Sequence, residues 1–134
     1  MVSFEFIVDG PPVSQQTRRR ERYHEWKRVV RAAAERYWPG GLPPLTGPLS
    51  VRVYYFFDGA PVDIDNIVKP IHDAIVGLVY EDDLQVTDSV NRRRDLRGQF
   101  SITNLTPALA EGLAREREFL YVAIAPAPST GELD

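Results

Sequence analysis

The sequence predicts a small α/β (α+β) domain, a mixed β-sheet with two main helices packed on it. Three observations carry this. The chain has 134 residues, a length that suits one domain and buries roughly two-thirds of its unfolded surface. Its apolar spacing switches between the strand period and the helical period in the order β, α, β, α, β, (α), β. It has no cysteine, so the fold must rest on an apolar core without disulfides or thiolate zinc sites.

The first strand is residues 2–9, where Phe4, Phe6 and Val8 alternate with Glu5 and Asp9. Gly10-Pro11-Pro12 stops it, because two prolines remove two ladder donors. A polar loop, Val13 to Thr17, leads into a helix over residues 18–38. Its apolar stripe is Tyr23, Trp26, Val29, Val30, Ala33 and Tyr37, and its arginines lie largely off that stripe. Pro39 to Pro48 is turn chemistry. Residues 49–57 alternate strongly, and the second face turns apolar toward the end, as in a central strand covered on both sides.

Further on, residues 84–94 read as a strand with Arg92 and Arg94 on one face and Arg93 on the other. Gln99 to Asn104 reads as a short strand. Thr106 caps a helix that runs to about Arg117, with Pro107 in its first turn and Leu109 and Leu113 facing inward. Phe119 to Ala125 is the last strand, apolar on both faces. Residues 1–125 then make the domain. Residues 126–134, small, Pro-rich and acidic, read as a disordered tail.

The chain is organised around residues 61–86, PVDIDNIVKPIHDAIVGLVYEDDLQV. Ile64, Ile67, Val68, Ile71, Ala74, Ile75 and Leu78 form the stripe of an amphipathic helix, with Asp65, Lys69, His72 and Asp73 on its polar side. Pro70 lacks an N–H, so the carbonyl it leaves free must belong to the cap or first turn. That makes Asp65 or Asn66 the N-cap, and Gly77 the end. Asp63 and Asp65 then lie on an extended approach, where alternate side chains point the same way and the two carboxylates converge. Glu81, Asp82 and Asp83 follow. Three such carboxylates suit a hard divalent cation, which takes oxygen ligands and keeps several waters. The same residues also suit a plain helix cap, a turn, and i, i+4 pairs of Lys69 with Asp65 and Asp73, each worth about 0.2–0.5 kcal/mol. His24 and His72 stand alone and read as surface or packing residues.

Charge is polarised along the chain. Residues 15–38 hold eight Lys and Arg against three Glu, whereas residues 58–88 hold eight acids against Lys69 alone. The overall charge of −3 argues weakly against DNA, but distribution matters more than the sum. Arg18, Arg19 and Arg20, at a loop–helix junction, and Arg92, Arg93 and Arg94, after the acids, are the candidate DNA-backbone contacts. No window approaches the ~20 apolar residues of a membrane span. The start of the chain has no signal-peptide pattern, which with the missing cysteines predicts a cytoplasmic protein.

The pattern Asp63-x-Asp65-Asn66-x-x-Lys69, then Asp73-Ala74-Ile75, then Asp82-Asp83-x-Gln85-Val86, resembles the RusA-like family of Holliday junction resolvases, as does Gly10-Pro11-Pro12-Val13-Ser14 after the first strand. The resemblance covers residues 4 to about 94 and loosens beyond. It implies a metal-dependent endonuclease that resolves Holliday junctions by symmetric phosphodiester hydrolysis in recombination and repair. It further implies Asp63, Asp65 and Asp83 as metal-binding catalytic acids, Lys69 as the basic catalytic residue, and Mg²⁺ as cofactor with Mn²⁺ as its substitute. Asp82 also stands in the motif, but Asp83 is favoured. The implied partner is branched DNA, the four-way junction, and the implied form a homodimer. Three rival readings are a non-catalytic branched-DNA-binding module, a nuclease for other branched DNA, and an interaction domain whose acids meet a basic protein.

Overall fold

The computed structural model describes residues 2–128 and 133. The strands are β1 (Phe4–Asp9), β2 (Leu49–Phe57), β3 (Val86–Asp95) and β4 (Phe119–Pro126), and the helices are α1 (Arg20–Tyr37), α2 (Asp65–Ala74) and α3 (Pro107–Ala114). The strands form one sheet in the order β1-β4-β2-β3. β4 is antiparallel to both β1 and β2, while β2 and β3, joined through α2, are parallel. This is a mixed-sheet α+β domain. No helix among the described residues is long and apolar enough to cross a membrane.

Each face of the sheet has its own core, which explains why β4 is apolar on both sides. On one face Phe4, Phe6, Val53, Tyr55, Leu120 and Val122 meet Trp26 and Val30 of α1 and Ile67 and Ile71 of α2. On the other face Ile7, Phe56, Phe119 and Tyr121 meet Ala108 and Leu109 of α3. Helix α3 approaches closely because residue 112 is glycine: a Cβ there would lie 2.2 Å from the Phe119 ring. Thr106 caps α3 by accepting from the Leu109 N–H at 3.4 Å.

Several local expectations are corrected. Helix α1 starts at Arg20, and its buried stripe includes Ala34 while Val29 faces solvent. Asp65 is the first residue of α2, not its cap; Ile64, the N-cap, already has helical backbone. The helix ends at Ala74, short of Gly77, because residues 75–80 fold into a turn that pairs Val76 with Tyr80. Gly77 holds φ +86 in that turn, a conformation glycine adopts without Cβ strain. Leu84 is 83% exposed in a 3₁₀ turn, Asp83–Gln85, so β3 begins at Val86. Residues 99–104 form no strand. Pro126 still belongs to β4, and the Ala127 N–H bonds to the Pro48 carbonyl at 3.0 Å. Of the expected tail, residues 129–132 and 134 lie outside the described residues.

Candidate functional site

Helix α2 puts four polar side chains on one face because their spacing follows the helical turn. Asp65, Lys69, His72 and Asp73 line a groove of about 330 Å³, and Asp83, Thr87 and Ser89 close it from the start of β3. The polar side read from the sequence is therefore assembled as expected. Lys69 Nζ pairs with Asp73 at 3.3 Å. Among the described residues, no donor occupies the side chains of Asp63, Asp65 or Asp83.

The two halves of the Asp82-Asp83 pair are separated by local chemistry. Asp82 caps the 3₁₀ turn, its carboxylate accepting from the Leu84 N–H at 2.9 Å. Gln85 closes the box: its Oε1 accepts from the N–H groups of Glu81 (3.0 Å) and Asp82 (3.2 Å). Its Nε2 donates to the carbonyls of Leu45 (3.0 Å) and Gly47 (3.1 Å), so the whole turn is pinned to the connector before β2. Asp82 is thus engaged in structure, and Asp83 is left to face the groove. An Asp-x-x-Gln capping-box spacing, Asp82 to Gln85, is the signal in the sequence that could have found this, and it went unread.

Asp63 precedes the helix. The backbone bends at Ile64, and the Asp63 carbonyl accepts from the Asn66 N–H at 3.0 Å. Asp63 and Asp65 are therefore not alternate residues of an extended chain, and the extended-chain argument for their convergence does not apply. The Asp63 side chain is not among those lining the groove. The loop that carries it is held from beneath. Tyr55 donates to Glu118 at 2.9 Å, Glu118 accepts from the Asp58 N–H at 2.8 Å, and the Val62 N–H reaches the Tyr55 hydroxyl at 3.4 Å.

His72, read from sequence as a surface or packing residue, is part of the groove. Its Nε2 is buried and unpartnered. Burial pushes the imidazole below its ordinary range and Lys69 adds to that, while Asp73 and Asp83 pull the other way. Burial thus favours the neutral imidazole. No sequence signal pointed to it beyond its place on the polar side of α2.

Pro70 ties the loop before the arginine-rich junction to the first turn of the same helix. It cannot bond the carbonyl of Asn66, four residues back, and that carbonyl instead accepts from the Gln15 N–H at 2.8 Å. The 13–17 loop is thereby fixed to the first turn of α2. Arg19 and Arg20 follow at the start of α1, with Arg18 just before them. Arg20 is itself engaged: it donates to the carbonyls of Gln15 (3.0 Å) and Thr17 (3.3 Å) and lies 4.2 Å from the Tyr23 ring centroid. Arg31 of α1 caps the other end of α2, donating to the carbonyls of Ala74 (3.3 Å) and Val76 (2.6 Å). Arg92, Arg93 and Arg94 are not gathered together. Arg93 pairs in register with Tyr55, on the α1–α2 face, and Arg92 and Arg94 stand on the α3 face.

Among the described residues, no three His, Asp or Glu side chains are gathered tightly enough to hold an ion unaided. The donor set nonetheless fits a hard cation. Asp65 and Asp83 offer free carboxylate oxygens to an open groove, with room for water and a phosphate oxygen to complete the shell.

In comparison with known proteins, the family model described as "Endodeoxyribonuclease RusA" matches residues 10–102, more than half of the chain. The match spans the groove, the arginine junction and the capped turn. No curated protein matches the chain.

Proposed function

The chain belongs to the RusA endodeoxyribonuclease family, and from that premise we propose that it resolves Holliday junctions by metal-dependent phosphodiester hydrolysis. One observation carries the site assignment: Asp65 and Asp83 present free carboxylates to a groove that Lys69 also lines. Asp65 and Asp83 would hold Mg²⁺, or Mn²⁺ in its place, with Asp63 as a third acid from the adjoining loop. When bound, the metal would lower the pKa of its water and offset charge on the phosphodiester. Lys69 contributes positive charge where negative charge grows in the transition state, and Asp73 orients its ammonium. His72, its imidazole held toward the neutral form by burial, forms part of the groove wall. Arg18 to Arg20 anchor backbone phosphates beside the groove, with Arg93 a further contact on that side of the sheet. The acting form is a homodimer, whose two-fold axis would relate two identical sites for paired cuts.

The test is cleavage of a synthetic four-way junction and of its linear duplex, with Mg²⁺ and with EDTA, by wild type and Asp65→Asn. The substitution is nearly isosteric and removes the charge a metal needs. Symmetric nicks in the junction alone, made only by wild type with Mg²⁺, are the expected result. Cutting of flaps and forks in preference to the junction would make it a nuclease for other branched DNA. If wild type binds the junction in EDTA yet never cuts it with metal, the protein is a binding module and the proposal fails.

A further inference from the structure

The sheet has a second charged face, remote from the acidic groove. Register places Arg92 opposite Tyr54 and Arg94 opposite Phe56, and on the other side of β2 Tyr54 meets Tyr121. A cavity of about 500 Å³ opens on this face, lined by Arg52, Arg92, Arg94, Tyr54, Tyr121 and Phe100, with the 101–104 loop as a further wall. We propose that this cavity binds an unpaired nucleotide of a DNA strand, its phosphate on the arginines and its base against the aromatic rings.

Charge is the first reason. Among the described residues no carboxylate pairs with Arg52, Arg92 or Arg94; the Arg94 guanidinium donates to the Arg93 carbonyl at 2.9 Å. Glu5 is hydrogen-bonded to the Tyr121 hydroxyl (2.5 Å) and the Ala108 N–H (3.3 Å) and forms no ion pair with these arginines. Three exposed guanidiniums around one concavity make it electropositive in a chain of net charge −3, and Arg matches the planar geometry of phosphate oxygens.

Aromatic surface is the second. The Arg52 guanidinium lies 6.0 Å from the Tyr54 ring centroid. Tyr54 and Tyr121 stand 5.7 Å apart at 38°, and Phe100 rests on Phe56 at 5.4 Å. Tyr121 and Phe56 are buried and back the other two rings; Tyr54 and Phe100 keep part of their surface on the cavity, which a phosphate alone would not use and a base would stack on. A duplex keeps its base faces inside the stack, so only an unpaired base presents one. The volume falls in the range of sites that enclose one small ligand, and Ser101 and Asn104 on the wall offer hydrogen bonds to a base edge. The inference rests on the endonuclease reading for DNA being the polymer.

The test uses the full chain in EDTA, where no cleavage occurs, and a fluorescent oligothymidylate as probe. Wild type should bind it, with dTMP competing weakly and inorganic phosphate not competing at equal ionic strength. Arg52→Gln should weaken binding and flatten the log K against log salt slope by about 0.7. Tyr54→Leu should cost at least about fivefold, whereas Tyr54→Phe, which keeps the ring, should bind within about twofold of wild type and guards against misfolding. Unchanged binding in both Arg52→Gln and Tyr54→Leu overturns the proposal. So does full competition by inorganic phosphate, which would leave a plain anion site. So does a shift from dimer to monomer in Arg52→Gln without loss of binding, which would make this face a subunit contact. Oligonucleotide binding with the expected variant pattern, beside no junction cleavage by wild type with Mg²⁺, would uphold this site and count against the nuclease reading alone.

Discussion

Tyr55→Phe removes one oxygen from beneath the loop that carries Asp63, and its cost can be worked from the surroundings. The side chain is 1% exposed. Its hydroxyl donates to Glu118 at 2.9 Å and accepts from the Val62 N–H at 3.4 Å. A hydrogen bond to a charged acceptor contributes about 1.5–3 kcal/mol net. The Val62 contact is long and adds little. Glu118 is half-exposed, so water partly replaces the lost donor and the lower end applies. The expected loss is about 1.5 kcal/mol, which for a domain of this size lowers Tm by roughly 5 °C. Urea denaturation measures the first quantity and calorimetry the second. A double-mutant cycle with Glu118→Gln should return a coupling of about 1 kcal/mol. Single-turnover junction cleavage should slow as well, since the Asp58–Asp63 loop loses its support. A change within about 0.5 kcal/mol, the scatter of ordinary surface substitutions, together with an unaltered cleavage rate, would refute the idea that this hydroxyl holds the loop.

Three further expectations follow from the same kind of reasoning. Gly112→Ala would gain about 0.8–1 kcal/mol in helix propensity but bring a Cβ within 2.2 Å of the Phe119 ring; overpacking of about 1–3 kcal/mol wins, and a higher denaturation midpoint would contradict that packing. Gln85→Leu keeps the volume and removes all four bonds that pin the Asp82–Gln85 turn, so junction cleavage should drop mainly in kcat, and a change confined to KM would say that Asp83 does not depend on the turn. Burial pushes the Tyr55 and Tyr121 phenols up to about 12, so the fold favours their neutral form. Their contribution is intact below pH 10 and is lost as pH rises toward 12, at up to about 1.4 kcal/mol per pH unit for each. Melting temperature followed from pH 8 to 12 should stay flat at first and then fall, and a fall already complete by pH 10 would count against both assignments.

What the sequence revealed and what it hid divide by the range of the interactions. β2 was legible to its end residues because alternation is a local record of which faces are covered. The Thr106-Pro107 start of α3 was legible because a cap and its helix lie within one turn. The polar side of α2 was legible because helical spacing alone gathers Asp65, Lys69, His72 and Asp73. The extended-chain argument for Asp63 and Asp65 lost its premise for a local reason: Ile64 bends into helical backbone, and the period-two argument holds only for extended chain. The hidden parts depend on distant partners. Arg31 looked like one more surface arginine until α1 packed its guanidinium against carbonyls 43 and 45 residues away. The face on which Arg92 and Arg94 stand was set by pairing with β2 and by the side that α2 covers. Gln85 was noticed as part of a motif, but its bonds to Leu45 and Gly47 span 40 and 38 residues.

The bond between Gln15 and Asn66 has a further meaning for how the protein can be altered. The Asn66 carbonyl is a shared port, and only the missing N–H at position 70 keeps it vacant for the loop. A residue with an N–H at position 70 would let α2 close its own ladder and compete with the loop for that oxygen. A change that strengthens the helix in isolation would then loosen the arginine-bearing segment. Local stability and loop placement are in competition at this one atom, and proline resolves it in favour of the loop. Consensus-style stabilisation of α2 would be misguided at this position, since the defect in the helix is what docks its neighbour.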